Sequence, residues 1–134
     1  MTTTSITPDA AAEARARALR EWFGVSDRQE FDRFGEFLAD DIEFIFGNAE
    51  PLHGLDAVLA VGEQMQGALK AVVHELRHIH HGIDGRTVAV EVWTTYTRLD
   101  DRQLRLPAAV VFGFDDDGRI AQYRIYIDQA DLYA

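Results

Sequence analysis

The spacing of apolar residues changes from helical to alternating near residue 70, and this change limits the fold more than any other feature of the sequence. Alternation places successive side chains on opposite faces of a strand, so the second half of the chain predicts β-structure. Short polar turns, which join antiparallel neighbours, divide this half. We therefore predict an antiparallel meander with strands at Val72 to Ile83, Arg86 to Arg98, Gln103 to Phe114 and Arg119 to Ile127.

The first half of the chain predicts three helices and one short strand. Alanines and Trp22 recur at helical spacing after Pro8, and proline is tolerated at the first position of a helix. Ser26-Asp27-Arg28-Gln29 has the form of a capping box, which predicts that a second helix begins there. A third apolar run of helical period follows Pro51. The predicted helices are about Pro8 to Phe23, Ser26 to Asp40 and Leu55 to Leu69, and the predicted strand is Ile42 to Phe46.

Three helices and a long antiparallel sheet indicate an α+β fold. Strands of ten or more residues exceed the usual length of about five or six, and a sheet built from them is expected to twist and coil. We therefore predict a cone-shaped, curved antiparallel sheet with three helices on its concave side and a pocket between them. Because 134 residues is the length of one domain, we assign 1–134 to a single domain in which 1–7 form a flexible tail.

Charge and residue usage exclude several classes of partner and site. Thirteen basic and 23 acidic residues give a formal net charge of −10, which would repel a phosphate backbone or an anionic membrane. We therefore expect no nucleic acid and no membrane as partners. No apolar run approaches the roughly 20 residues of a spanning helix, and Met1 to Asp9 lacks the features of a signal peptide, which predicts a cytoplasmic protein. The chain has no cysteine, so thiol catalysis and cysteine-ligated metals are excluded.

Short motifs occur in an order and spacing that are typical of one superfamily. They are Phe37-Leu38-Ala39-Asp40-Asp41-Ile42, Pro51-Leu52-His53-Gly54, and Asp117-Gly118-Arg119-Ile120 leading to Arg124-Ile125-Tyr126-Ile127-Asp128. Through them the chain resembles the nuclear transport factor 2-like superfamily, also called SnoaL-like, along nearly its whole length. The resemblance implies a cone closed by helices and a homodimer formed through the sheet. Because the superfamily contains isomerases, dehydratases, cyclases, epoxide hydrolases and non-catalytic proteins, the function must be argued from the site.

Two chemistries of the superfamily lack their residues in this chain. The resemblance places Trp22, Phe46 and Val110 where ketosteroid isomerases carry a tyrosine, an aspartate base and an aspartic acid. These side chains provide neither a carboxylate base nor an acidic donor to an enolate. Ile125 stands where limonene epoxide hydrolases carry the aspartate that activates water. The resemblance therefore implies neither of these activities.

The dehydratases of the superfamily fit the sequence better. In enzymes resembling scytalone dehydratase and the bile-acid 7α-dehydratase, an aspartate near the first helix junction acts with a histidine on the strand after the third helix. Asp27 and His74 match those positions. A neutral imidazole can take a proton next to a carbonyl, and a carboxylate bonded to its other nitrogen fixes the tautomer. Trp22, Phe44 and Phe46 replace the tyrosines that those enzymes use as donors, so the donor to a developing oxyanion is unassigned.

Several of these residues also have structural alternatives. Asp27 has the position of an N-cap for the predicted second helix. His74, His78 and His80 share one face of their predicted strand, but residues two apart on a strand diverge too far for a ligand shell, so we expect no metal site. Glu91 is an acid/base candidate if its face of the strand is concave, and a solvated side chain if that face is convex.

We therefore predict an enzyme that acts on a small molecule without a cofactor. Asp27 and His74 are the predicted catalytic residues of a lyase or isomerase that dehydrates or cyclises a hydrophobic or polycyclic substrate. The alternative is a non-catalytic module that binds a hydrophobic small molecule or mediates dimerisation. A side-chain contact between Asp27 and His74 inside a cavity would favour the enzyme. The predicted ligand-binding residues are Trp22, Phe46, His78, Glu91, Trp93, Val110, Tyr123 and Ile125.

Overall fold

The computed structural model describes residues 10–133 of the chain. The predicted tail at 1–7 and the predicted helix start at Pro8 lie outside these residues. No helix among the described residues is long and apolar enough to cross a membrane. The elements are α1 (Ala10–Asp27), a first 3₁₀ helix (Phe31–Glu36), β1 (Leu38–Phe46), β2 (Leu52–His53), α2 (Leu55–Ala68), β3 (Leu69–His81), β4 (Thr87–Arg98), β5 (Gln103–Phe114), β6 (Ile120–Ile127) and a last 3₁₀ helix (Ala130–Tyr133).

The six strands form one curved, unclosed sheet in the order β2-β1-β6-β5-β4-β3. The predicted meander is confirmed, because β3, β4, β5 and β6 pair antiparallel with their neighbours in the chain. β1 pairs antiparallel with β2 and parallel with β6, so the first strand joins the far edge of the meander. The α+β cone predicted from the sequence is thus the observed fold.

The concave face of the sheet carries the hydrophobic core. On β4 the side chains of Val88, Val90 and Val92 are buried, whereas Glu91 between them is exposed. α1 lies across this face and buries Trp22 in the same cluster of apolar side chains. Truncating a buried aromatic side chain of this kind costs about 3–5 kcal/mol, so α1 is held chiefly by its aromatic face.

The predicted second α-helix is wrong, and the chain turns there instead. α1 continues to Asp27, four residues beyond its predicted end at Phe23. The amide of Glu30 donates back to the carbonyl of Val25, and Gln29 adopts a left-handed φ of 57°, which ends the helix. Only a six-residue 3₁₀ helix follows before β1 begins at Leu38. Asp27 therefore lies in the last turn of α1 and caps no second helix.

Candidate active site

A cavity of about 100 Å³ lies between the concave face of the sheet, α1, the first 3₁₀ helix and α2. A cavity of roughly 150 Å³ in another protein holds benzene, so this volume suits one small ring. Most of the wall is aromatic or aliphatic, and no lysine or arginine of the described chain contributes to it. The polar side chains in the wall are Ser26, Asp27, Gln29, His74, Thr94, Tyr96 and Tyr123.

Seven of the ten residues predicted for the site lie in the wall of this cavity. They come from α1, β1, β3, β5 and β6, which are far apart in the sequence. The periodicity of each helix or strand places their side chains on the concave side. The seven are Trp22, Asp27, Phe46, His74, Val110, Tyr123 and Ile125.

Asp27 and His74 are in direct contact in the cavity wall. The Asp27 Oδ1 atom lies 2.6 Å from the His74 Nδ1 atom, and the backbone N–H of His74 donates to Asp27 Oδ2 over 2.8 Å. The two side chains are only 17% and 16% exposed. Phe23, one turn before Asp27 on α1, packs on the imidazole with ring centroids 4.9 Å apart. The carboxylate is thus anchored at both oxygens to one residue of β3.

The contact determines which nitrogen of His74 is free to react. A carboxylate only accepts hydrogen bonds, so Nδ1 of a neutral His74 carries the proton and Nε2 carries the lone pair. This tautomer is inferred from the hydrogen bond, since it is the only one that places a proton between the two groups. Nε2 is therefore the atom of His74 that can take a proton from a molecule in the cavity.

Trp22 and Tyr123 form a second polar contact in the wall. The indole Nε1–H of Trp22 donates to the Tyr123 hydroxyl oxygen over 3.2 Å, and both side chains are buried. The Tyr123 ring also packs against Phe44 and Phe112, with centroids 5.1 Å and 4.8 Å away. Burial raises the pKa of Tyr123 far above its usual range, the Trp22 hydrogen bond opposes that shift and the charge of Asp27 adds to it. Tyr123 therefore keeps its proton at neutral pH.

Three predicted ligand-binding residues lie on the outer face of the sheet instead. Glu91 is exposed and contacts His80, with Oε2 and Nε2 2.6 Å apart, and this hydrogen bond lowers the pKa of Glu91. Trp93, two residues along β4, is covered by the guanidinium of Arg105 at 4.1 Å from the ring centroid. Strand alternation puts both side chains on the face opposite the buried valines. The predicted roles of Glu91 and Trp93 in the pocket are corrected accordingly.

His78 is displaced from the cavity by an irregularity of β3. Leu76 pairs with Val92, but the register shifts at the next step and His78 pairs with Glu91 on the outer face. One extra residue in a strand reverses the facing of every residue after it. His74 precedes the shift and faces inward, whereas His78 and His80 follow it and face outward. Among the described residues, no group of three or more His, Asp or Glu side chains could hold a metal ion.

A polar residue opposite His74 was not predicted from the sequence. Thr94 is 1% exposed, lines the cavity and pairs in register with His74 across β3 and β4. Its place in the alternation of buried valines on β4 is a signal that a polar side chain faces inward.

The contact of α2 with the turn after α1 was not predicted from the sequence either. Phe31 packs against Gly62 of α2, where an added Cβ atom would lie 2.7 Å from the Phe31 ring. The Gln66 side-chain amide donates to Gln29 Oε1 over 3.0 Å, which ties α2 to the turn after α1. A glycine in the middle of a helix costs about 1 kcal/mol relative to alanine, and this cost is the signal that could have identified Gly62.

Comparisons with known proteins agree with this architecture. A family model described as a SnoaL-like domain matches residues 19–123. No curated protein sequence is significantly similar to the chain. Among solved structures, a protein of unknown function from Burkholderia pseudomallei, described as NTF2-like, is 18% identical with a TM-score of 0.79, covering 88% of this chain and 93% of that one.

Two further structures are of proteins that are named for an activity. An epoxide hydrolase/cyclase-like enzyme, SalBIII, of pyran ring formation in the polyether salinomycin is 18% identical with a TM-score of 0.75, covering 90% of this chain and 95% of its own. An LEH-like epoxide hydrolase of M. tuberculosis is 22% identical with a TM-score of 0.74, covering 89% and 81%. At these identities the likeness establishes the fold and no more.

Proposed function

The chain belongs to the SnoaL-like family, and from this premise we propose that its cavity is the active site of a cofactor-free enzyme acting next to a carbonyl group. His74 is the general base and Asp27 is the residue that orients it. The observation that carries the proposal is the 2.6 Å contact between Asp27 and His74 in the wall of an apolar cavity. The similarity to SalBIII, an enzyme of pyran ring formation, supports a cyclisation. The resemblance to dehydratases supports loss of water.

The common first step of these reactions is removal of a proton from the carbon next to the carbonyl. His74 Nε2 takes this proton, the C–H electron pair forms a carbon–carbon double bond, and the carbonyl π pair moves onto oxygen. In a dehydration the pair returns from oxygen, a new double bond forms one carbon further, and the bond to the β-hydroxyl breaks. The imidazolium gives its proton to that hydroxyl, which leaves as water. Asp27 stabilises the imidazolium between the two steps.

The composition of the wall limits the substrate class. Without a lysine or arginine among the described wall residues, a carboxylate or phosphate group would enter beside Asp27 with no cation to pair it. A neutral carbonyl compound with an apolar body fits this wall. The cavity volume matches one small ring, and a polycyclic substrate requires a larger cavity.

The alternative function is a non-catalytic module that binds a hydrophobic molecule. It is favoured by Phe44 and Phe46, which stand where the dehydratases that the sequence resembles carry tyrosines. Such a module needs the apolar wall but makes no use of the contact between Asp27 and His74. The two functions therefore differ in the expected effect of replacing His74: the enzyme loses its activity, whereas the binding module has none to lose.

Exchange of carbon-bound protons in heavy water tests the proposal without knowledge of the natural substrate. Cyclohexanone, a single ring with a ketone, is incubated with the protein, and loss of its α-proton NMR signal measures proton removal. β-Hydroxycyclohexanone, followed by the absorbance of cyclohexenone, measures dehydration. We expect the native protein and His80→Ala to accelerate exchange, and His74→Ala to lose about 100- to 10,000-fold of that acceleration. Equal rates in the native protein and His74→Ala would contradict the proposal.

We also propose that the protein forms a homodimer through the outer face of its sheet. Val73 is 52% and Tyr126 is 55% exposed on this face, and Trp93 lies between them on β4. Exposed apolar side chains on the uncovered face of a sheet whose other face is packed are typical of an interface. Sedimentation at about 10–100 µM, a concentration at which a micromolar dimer is formed, should show twice the monomer mass. A monomer under these conditions would contradict the dimer.

A further inference from the structure

The Tyr123 hydroxyl has a proton to offer to a molecule in the cavity. Its oxygen accepts the Trp22 Nε1–H, so one lone pair is occupied and the orientation of the phenol is fixed. Among residues 10–133 the only hydrogen bond of this hydroxyl is the one that it accepts from Trp22. The side chain is 6% exposed and lines the cavity, so its hydroxyl can donate a hydrogen bond to a ligand bound there.

The same wall holds the free nitrogen of His74. Asp27 occupies Nδ1 of His74, and Tyr123 lines the same cavity as Asp27 and His74. A ligand in this small cavity therefore meets a proton acceptor, His74 Nε2, and a proton-bearing donor, Tyr123, at the same time. These are the two functions that enolisation requires: a base at the carbon and a donor at the oxygen.

We infer that the Tyr123 hydroxyl donates the hydrogen bond that stabilises the substrate oxygen as it gains negative charge, and that Trp22 is the positioning residue which holds it. This inference rests on the proposed function, whose base is His74. When the carbonyl π pair moves onto oxygen, the oxygen accepts the Tyr123 O–H without taking its proton. No atom is exchanged at Tyr123, so it returns unchanged when the electron pair moves back.

The environment of the phenol suits a donor rather than an acid. The buried Phe44 and Phe112 rings pack against it. Burial raises its pKa, so the hydroxyl stays protonated beside a developing oxyanion. A donor that is already oriented and desolvated needs no reorganisation during the reaction. A bond received from Trp22 polarises the hydroxyl and strengthens the one that it gives.

Other hydroxyl groups of the wall are less well placed for this role. The Tyr96 hydroxyl accepts a hydrogen bond from the Gln129 side chain over 3.0 Å, in a second apolar cluster with Leu132. Thr94 faces His74 across the sheet, but no donor among the described residues holds its side chain. Tyr123 is the wall hydroxyl that is buried in the same aromatic cluster as Trp22 and held by its indole N–H.

Binding of para-nitrophenol tests the donor without any turnover. The phenol is one ring in size, its anion resembles an enolate, and its visible absorbance reports the anion directly. The charge of this anion is spread over its ring and nitro group, so unlike a carboxylate or phosphate it needs a hydrogen-bond donor rather than a cation. We expect the native protein to bind the anion, and Tyr123→Phe to weaken its affinity about 10- to 100-fold, because a hydrogen bond to a charged group is lost. Nitrobenzene, which has the ring but no oxyanion, should bind native protein and Tyr123→Phe equally and shows that the cavity is intact.

Two matched variants locate the effect. Tyr126→Phe removes a hydroxyl from the same strand on the outer face and should leave the affinity unchanged. Thr94→Val removes another hydroxyl of the wall, the one opposite His74, and should lower the affinity less than Tyr123→Phe does. If the native protein binds no anion, or if Tyr123→Phe binds it as tightly as the native protein, the inference is overturned. A larger loss in Thr94→Val than in Tyr123→Phe overturns it as well.

The outcome is separable from that of the proposed function. If cyclohexanone exchange depends on His74 while Tyr123→Phe leaves both anion binding and exchange unchanged, the base stands and the donor fails. If anion binding depends on Tyr123 while exchange is the same with and without His74, the donor stands and the proposed function fails. When both stand, Tyr123→Phe should lower kcat about 100- to 1000-fold with a small change in KM.

Discussion

One strand carries two histidine–carboxylate contacts of the same length on opposite faces of the sheet. His74 meets Asp27 on the concave face, and His80 meets Glu91 on the outer face, each with a nitrogen–oxygen distance of 2.6 Å. The inner side chains are 17% and 16% exposed, whereas the outer ones are 58% and 50% exposed. Distance therefore does not distinguish a candidate dyad from a surface contact. Burial does, because water and salt screen the outer charges and leave the inner ones.

The largest expected difference between the two contacts is in proton removal. His74→Ala should reduce the catalysed exchange of cyclohexanone α-protons about 100- to 10,000-fold, because the base is lost. His80→Ala removes the same side chain from the same strand and should leave the rate unchanged. The comparison would fail if both variants lost activity to the same extent, since an effect on the strand as a whole would then explain the result.

The two tryptophans extend the comparison to stability. Trp22 is 1% exposed in the inner cluster, and Trp22→Ala should lower the free energy of unfolding by about 3–5 kcal/mol. Trp93→Ala on the outer face loses mainly contacts with Arg77 and Arg105 and should cost about 1 kcal/mol. Urea unfolding at a protein concentration well below that at which the proposed dimer forms measures both. Comparable losses in the two variants would show that the outer face is as well packed as the inner one.

Replacing each carboxylate by an amide should also distinguish the two contacts, with a smaller loss of stability than Trp22→Ala causes. Asp27→Asn keeps the shape but leaves one of the two His74 N–H groups without an acceptor, so we expect a loss of about 1–3 kcal/mol and a slower exchange reaction. Glu91→Gln should change neither, because its side chain is half exposed. Thermal unfolding with the exchange assay checks this. A destabilised Asp27→Asn with native activity would make Asp27 a structural residue only.

The smallest expected effect is in the alkaline titration of Tyr123. Its pKa is higher in the folded chain than in the unfolded chain because burial disfavours the phenolate. The resulting stability is fully present below pH 10 and is lost as the pH rises toward the folded value. Unfolding the native protein with urea above pH 10 should therefore release more phenolate absorbance than unfolding Tyr123→Phe. Equal release from the two proteins would show that Tyr123 is accessible, and Tyr126→Phe serves as the control.

The meander of the second half could be predicted from the sequence because its signals are local. Apolar alternation and turns such as Asp84-Gly85 act over a few residues, and β5 was predicted with its observed bounds, Gln103–Phe114. The second helix was wrong although its signals were also local. Ser26 and Asp27 form an N-capping pattern, but the chain places both in the last turn of α1, because Gln29 takes a left-handed conformation and Phe34 is buried beside Trp22. Tertiary packing overrode the capping signal.

The face on which a site residue lies could be predicted only where its strand is regular. Val110, Tyr123 and Ile125 lie in the cavity wall as predicted, since regular alternation holds along their strands. His78 does not, because the register of β3 shifts after Leu76, and no residue type in the sequence marks that shift.

By itself the sequence determined the α+β class, the meander, the family resemblance and the residue types available for chemistry. Periodicity and turn composition are properties of neighbouring residues, so they can be read without the fold. Only the tertiary structure decided that Asp27 reaches His74 across 47 positions of sequence, and that Trp22 donates to Tyr123 across 101. Such contacts depend on where α1 ends, on the register of each strand and on the curvature of the sheet. They are set by packing of the whole chain, which no local pattern contains.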